Sequence, residues 1–268
     1  GIASNTSIGD LFIAGIIPGI LIAAGLIGYT MIRSIFTPGP TSDEDSYTWS
    51  DRMRALPLIL PVIILIIFVL GSIYLGWATP TEAASIGVFG AVILALITRS
   101  MTMKTFWTAV LGAVKTNAMI MLIVVGASYL SVVVGYLGIP SKLTEFVSTL
   151  GLSAYGLIAI MAIMYILLGC LLDGFSMIVM SLPLALPLIT AAGFEPLWFG
   201  VFLVIMIEMA QITPPIGFNL FVINGLVKDD IFKIARYAIP SFLIILAVAA
   251  VITLYPELAL WLPGIMVG

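Results

Sequence analysis

The sequence predicts an all-α membrane protein, a polytopic helical bundle that carries one re-entrant hairpin and one discontinuous helix. Three observations predict it. Of the 268 residues, 62% are apolar, 9% are charged, and the mean hydropathy is +1.26, far outside the range of a soluble globular domain. The apolar residues gather into runs near the ~20 residues that cross a bilayer, with room for roughly seven to nine of them. Two runs are interrupted at mid-length, one by Asp173-Gly174 and one by Thr213-Pro214-Pro215-Ile216-Gly217. The second cannot continue a helix, because two successive residues lack an N–H and a glycine follows. A break at membrane depth survives only where protein or a polar cavity satisfies the freed backbone groups.

Composition also excludes chemistry. The formal net charge of −3 carries no signature of nucleic-acid binding. A single cysteine, Cys170, excludes an internal disulfide and a cysteine metal cluster. The absence of histidine removes haem ligation, most zinc sites and histidine-based acid–base catalysis. No basic n-region precedes the first apolar run. The chain opens on Gly1 rather than methionine, so the expectation is that further residues precede it in the whole protein.

Taken in order, residues 8–36 predict a first span kinked at Pro18-Gly19 and closed by Arg33. The polar stretch after it carries Trp49, Arg52 and Arg54, which suit an interfacial helix or a solvated loop. Residues 57–76 and 82–98 form two spans joined by GWATPTEAA, in which Thr79 or Thr81 caps the second helix. Glu82 then complements the helix dipole, with ion or proton binding as its alternative role. Residues 106–137 form a long span. Its Lys115 can snorkel to the interface, and its Gly126, Ser128 and Ser131 suit close helix packing. Residues 139–150 predict a short amphipathic helix.

The hairpin is predicted over residues 155–188, with arms of about 14 and 11 residues, too short for comfortable spans and suited to dipping to mid-membrane. Asp173-Gly174 is a turn signal, and Pro183 and Pro187 loosen the returning arm. Asp173 reads either as the cap of the returning helix or as a functional acid, since an unpaired carboxylate is expensive in lipid. The broken helix is predicted over residues 199–226, with Glu208 within two turns of the break. A last span over 238–254 follows, with Trp261 as an interface anchor. If the first span runs inward, Arg33, Arg52, Arg54, Arg99, Lys104, Lys228, Lys233 and Arg236 lie on the cytoplasmic side and Lys142 outside, a strong positive-inside bias.

The stretches IGDLFIAGIIPGILI, GWATPTEAA, GCLLDGFSMIVMSLPLALPL and MAQITPPIGFNLFV, in that order, closely resemble the large membrane subunit (M, or DctM-type) of tripartite ATP-independent periplasmic (TRAP) transporters. The resemblance covers essentially the whole chain and corresponds to the C-terminal part of that subunit. It implies the second half of an inverted-repeat, elevator-type transporter in the bacterial inner membrane, with the first repeat absent here. Residues 1–104 are then mainly scaffold spans and an arm helix, 105–226 the transport part, and 227–268 a loop and the last scaffold span. It further implies sodium as coupling ion, a small membrane subunit (Q), a soluble periplasmic substrate-binding protein (P) and an organic anion such as a sialic acid or a C4-dicarboxylate.

On that footing the expected sodium ligands are Leu172, Asp173, Ser176, Thr213, Pro214 and Pro215, through carbonyls and hydroxyls. The expected substrate contacts are Asp173, Gly174, Ser176, Pro215 and Gly217, beside the helix N-termini that follow each break. No arginine stands at either break, so charge recognition in this half rests on dipoles, on the ion or on the absent repeat. Two other classes remain in view. An intramembrane aspartyl protease would pair Asp173 with Glu208, but the Gly-x-Gly-Asp signature of such enzymes is missing. A channel with a re-entrant filter would use a symmetric ring of like loops, whereas these two breaks are unlike.

Overall fold

The computed structural model describes Gly1 and residues 4–36, 49–213 and 217–266. The polar stretch 37–48, and with it the approach to Trp49, lies outside the described residues, as do Pro214, Pro215 and Ile216 of the predicted break. The side chains of Trp49, Arg52 and Arg54 lie outside them too. Among the described residues all regular structure is α-helical.

The first predicted span divides into α1 (Ile8–Ala14) and α2 (Ile16–Phe36). The division falls at Gly15 rather than at Pro18-Gly19, because Pro18 occupies the first turn of α2, where its missing N–H costs nothing. Ser7 caps α1 by accepting from the Asp10 N–H at 3.3 Å. Helix α3 (Trp49–Tyr74) runs without interruption through the predicted arm and span, and α4 (Pro80–Ile97) returns. Thr79 is the cap of α4: its hydroxyl accepts from the Glu82 N–H at 3.4 Å, while the Glu82 carboxylate accepts from the Thr79 N–H at 2.8 Å and its O–H at 2.7 Å. This reciprocal capping box occupies Glu82 at the helix start.

Next come α5 (Met103–Tyr136) and the amphipathic α6 (Ile139–Thr149). The predicted hairpin is α7 (Ala154–Gly169) and α8 (Gly174–Ala191), turning at residues 170–173. Its arms are longer than expected, 16 and 18 residues, because α7 extends by one residue at each end and α8 starts directly after the Asp173 cap and runs on to Ala191, with Pro183 and Pro187 inside it. The predicted broken helix is α9 (Pro196–Gln211) and α10 (Phe218–Val227). Helix α11 (Ile231–Leu254) begins seven residues before the expected span, and α12 (Glu257–Met266) carries an exposed Trp261. By length and composition five segments can cross a membrane: Ile8–Phe36, Pro80–Ile97, Met103–Tyr136, Gly174–Ala191 and Ile231–Leu254.

The chain divides into two units, Gly1–Met31 with Met119–Gly268, and Ile32–Ala118. In the second unit α3 packs on α4 around the fully buried Ala83, and the buried Ser72 hydroxyl donates to the Val69 carbonyl at 2.7 Å. In the first unit α9 is the centre. It packs against α7, α8 and α11, and also against α1, α10 and α12. Trp198, Phe199, Met206, Met209 and Ala210 are wholly enclosed. Phe194, Trp198 and Phe202 stack at i, i+4 spacing with ring centroids 4.4 and 5.2 Å apart, a packing geometry favoured by aromatic quadrupoles.

The polar end of Trp198 has its own task. The carbonyl of Ile252 lacks its helical partner because residue 256 is proline, which has no N–H. The Trp198 indole N–H donates to it at 2.8 Å. The hairpin arms are likewise joined across the core where the Tyr165 hydroxyl donates to Ser181 Oγ at 3.1 Å.

Trp198→Phe keeps an aromatic ring in the stack but leaves the Ile252 carbonyl buried and unpartnered. The expected cost is about 1–3 kcal/mol, read as a lowered midpoint in thermal unfolding of the detergent-solubilised protein; an unchanged midpoint would refute this account of the tryptophan.

Candidate functional site

The two interruptions predicted from sequence come together. The tip of the hairpin, residues 169–176, packs against the end of α9, and three close approaches set the geometry. A Cβ added at Gly169 would strike Ala210, whose Cα would be 3.3 Å away. One added at Gly174 would lie 2.6 Å from both Ile207 Cγ2 and Gln211 Nε2. The Cys170 thiol, turned inward, stands 3.2 Å from the Ile166 carbonyl and 3.9 Å from that of Thr213. Small residues at 169 and 174 therefore let the tip lie flat on the last turn of α9.

Asp173 caps α8. Its Oδ2 accepts from the N–H groups of Phe175 and Ser176, each at 3.1 Å, and the Ser176 hydroxyl donates to Oδ1. Its backbone carbonyl accepts from the Met177 N–H at 3.0 Å. Of the two roles open to Asp173, the capping role is the one the geometry displays. The carboxylate is the expected partner of a helix N-terminus. On the other side of the turn, the carbonyls of Leu171 and Leu172 accept no hydrogen bond among the described residues.

Thr213 ends the described part of the break. Its hydroxyl donates to the Met209 carbonyl at 2.8 Å, and its own carbonyl accepts from the Gly217 N–H at 3.1 Å. Gly217 is buried, with φ −40° and ψ 115°. Its dihedrals do not require glycine; the space does. An added Cβ would sit 2.5 Å from the Gln211 carbonyl oxygen and 2.7 Å from that of Thr213. Both obstacles are backbone and cannot rotate away. Helix α10 then starts at Phe218 without a side-chain cap, in contrast to α8. Of the sequence-predicted residues, Leu172, Asp173, Gly174, Ser176, Thr213 and Gly217 therefore lie at the tip and the break, while Pro214 and Pro215 lie outside the described residues.

Glu208 is exposed on α9, between buried Ile207 and Met209. No hydrogen bond joins it to Asp173 among the described residues, so the proton-sharing pair of an aspartyl protease is not assembled. Sequence reasoning missed Gly169, Ala210 and Gln211. Gln211 had a signal: it is a lone amide in the apolar run that ends two residues before Thr213.

The family model of the tripartite ATP-independent periplasmic transporter DctM component matches residues 1–258. The chain belongs to the DctM family. Among its relatives, the C4-dicarboxylate TRAP transporter large permease protein DctM of Rhodobacter capsulatus is 29% identical over 98% of this chain and 60% of its own length. The sialic acid TRAP transporter large permease protein SiaM of Vibrio cholerae is 28% identical over 100% of this chain and 62% of its own length. The isethionate TRAP transporter permease protein DctMQ of Oleidesulfovibrio alaskensis is 28% identical over 98% of this chain and 42% of its own length. The chain thus spans at most about three-fifths of the curated relatives it matches. These are named as transporter permeases, so the DctM family is one of transporters rather than enzymes.

Gly217→Leu is expected to force the break apart, at a cost of about 1–3 kcal/mol or more, while membrane insertion of the chain is unaffected. Thermal unfolding of the purified variant checks this; a midpoint equal to that of the parent would mean the break has room to spare. Asp173→Ala, which strips the cap of α8, is expected to cost about 0.5–2 kcal/mol and Asp173→Asn much less, read by the same measurement.

Proposed function

We propose that this chain is the C-terminal part of the large membrane subunit of a sodium-coupled secondary transporter in the bacterial inner membrane. It imports an organic anion, a C4-dicarboxylate or a sialic acid, delivered by a periplasmic binding protein and carried with a small Q-type membrane subunit. The observation that carries the reading is the meeting of an interrupted hairpin with an interrupted helix in a member of the DctM family. Half-helix ends and unwound carbonyls, brought together within apolar protein, are the arrangement with which secondary transporters hold substrate and ion.

The ion is placed at the hairpin side of the junction. Sodium wants hard oxygens, and the open carbonyl of Leu172, the lone pairs of Ser176 and Thr213, the Asp173 carboxylate and the carbonyls of Pro214 and Pro215 supply them. The anion is placed at the helix that follows the break. The first N–H groups of α8 are already taken by Asp173, whereas those of α10 have no side-chain cap. The substrate carboxylate accordingly meets the start of α10 beyond Pro215 and Gly217, with Gly174 and Ser176 bounding it from the hairpin. In this reading residues 105–226 form the moving transport part and the flanking segments the scaffold, with alternating access by an elevator motion.

Uptake of labelled succinate and of sialic acid into proteoliposomes tests the proposal, using the full-length parent with its small subunit, with and without binding protein and a sodium gradient. Uptake requiring both supports it, and uptake indifferent to sodium and to the binding protein would overturn it. Thr213→Ala removes one oxygen donor, so the sodium concentration for half-maximal uptake is expected to rise several-fold; an unaltered sodium dependence would remove Thr213 from the ion site.

A further inference from the structure

A second cleft opens in the same unit, at the helix ends opposite the hairpin tip. One length of the 16-residue α7 away from the tip, roughly 24 Å, the starts of α7 and α12 and the turn between α8 and α9 line a space of about 340 Å³. Its walls include Tyr155, Phe194, Glu195, Trp198 and Pro256. The turn is held from both sides. Before it, the Gly193 N–H donates to the Thr190 carbonyl and the Phe194 N–H to the Ile189 carbonyl, each at 3.1 Å, with Gly193 at φ 87°. After it, the Glu195 carbonyl accepts from the Phe199 N–H at 3.0 Å.

Two side chains in this cleft have unused capacity. Tyr155 is 53% exposed, its ring meets that of Phe194 edge-on with centroids 6.3 Å apart, and its hydroxyl makes no hydrogen bond among the described residues. The Glu195 side chain is exposed and takes part in no hydrogen bond or ion pair among the described residues. Trp198 is covered on both faces by Phe194 and Phe202, so Tyr155 is the ring that the cleft offers. An aromatic ring beside a free carboxylate holds an organic cation through cation–π attraction and a charge-assisted hydrogen bond. An inorganic cation needs more oxygens than one carboxylate brings, and no group of three acidic or otherwise metal-binding side chains gathers among the described residues.

The charge around the cleft has the same sign. Asp10 in α1, Glu145 in α6 and Glu257 in α12 belong to this end of the unit, against the single lysine Lys142. The positive-inside bias puts this end on the outer side of the membrane, where an acidic face steers a soluble protein that carries a basic patch.

We propose that this cleft is a docking point for the periplasmic binding protein and receives one of its lysine or arginine side chains between the Tyr155 ring and the Glu195 carboxylate. This rests on the transport reading above and adds to it where the soluble partner is held and by what chemistry.

The test uses the full-length parent with its small subunit in lipid nanodiscs, and measures the affinity of the cognate binding protein, ligand-free and with succinate or sialic acid, at low and high ionic strength. Glu195→Gln is expected to weaken binding at least about tenfold at low salt, with the difference shrinking as salt screens the pair, while the melting temperature of the membrane complex alone stays unchanged. Tyr155→Leu is expected to weaken binding several-fold. Glu195→Lys is expected to be rescued by reversing the charge of one lysine or arginine on the binding protein. Unsubstituted affinity in Glu195→Gln would mark a solvated carboxylate on a turn and overturn the inference while leaving the transport reading intact. So would weakened binding accompanied by a lowered melting temperature of the complex alone, which marks a structural role. Absence of binding by the unsubstituted complex under every condition would overturn both the docking point and the partner it serves.

Discussion

A backbone carbonyl or amide in an apolar interior must find a partner, and most of what is irregular in this protein follows from how that demand is met. Where a helix is interrupted for structural reasons, a side chain takes over the orphaned group. Trp198 supplies the donor that Pro256 cannot give to Ile252, Thr79 and Glu82 serve each other at the start of α4, and Asp173 closes the start of α8. Each substitution is local in sequence or crosses one helix–helix contact. Against that regularity, the exceptions stand out: the open carbonyls of Leu171 and Leu172 and the uncapped start of α10. Leu171 is exposed at the tip, so these open groups can be reached by an arriving ligand without displacing a protein partner.

Helix α9 makes the junction possible. Its aromatic ladder and the enclosed Met206, Met209 and Ala210 fix its position against α7, α8 and α11, so its last turn is held from several sides. The hairpin tip rests on that turn through Gly169 and Gly174, and the chain beyond the break returns under the Gln211 carbonyl through Gly217. All three contacts are too close for a Cβ. A movement of the tip relative to α9 would have to open the Gly169 and Gly174 contacts together, which ties the hairpin and the first half of the broken helix into one mechanical piece.

Much of this was legible in the sequence. The helical class, the turn at Asp173-Gly174 and the break after Thr213 were readable because proline, glycine and a lone carboxylate within apolar runs each have a local physical consequence. The misplacements have equally local causes. Pro18 was read as a kink although it falls in a first turn, and Pro183 and Pro187 were expected to loosen the returning arm, whereas α8, packed on α6, α7 and α9, runs unbroken through them. The glycine contacts were out of reach, since they depend on which helices approach closely, and no periodicity within one segment reports that. Gly217 was expected on grounds of dihedral freedom, whereas the structure needs it for want of space.

In the proposed transport reading, the absence of arginine at either break bears on how an anion would be handled. A buried guanidinium would hold a carboxylate strongly, but it would have to be neutralised again each time the carboxylate left, and an unpaired charge in an apolar interior is costly. Helix N–H groups and side-chain amides avoid that cost. Their attraction for an anion is smaller, and it grows when a cation is bound beside them, because the field of the ion adds to that of the dipoles in a medium of low polarity. A site built from open carbonyls on one side and open N–H groups on the other is therefore weak for either ligand alone and stronger for both together. In the proposed reading that is the thermodynamic requirement for coupling one flux to another, and it follows from keeping fixed positive charge out of the junction.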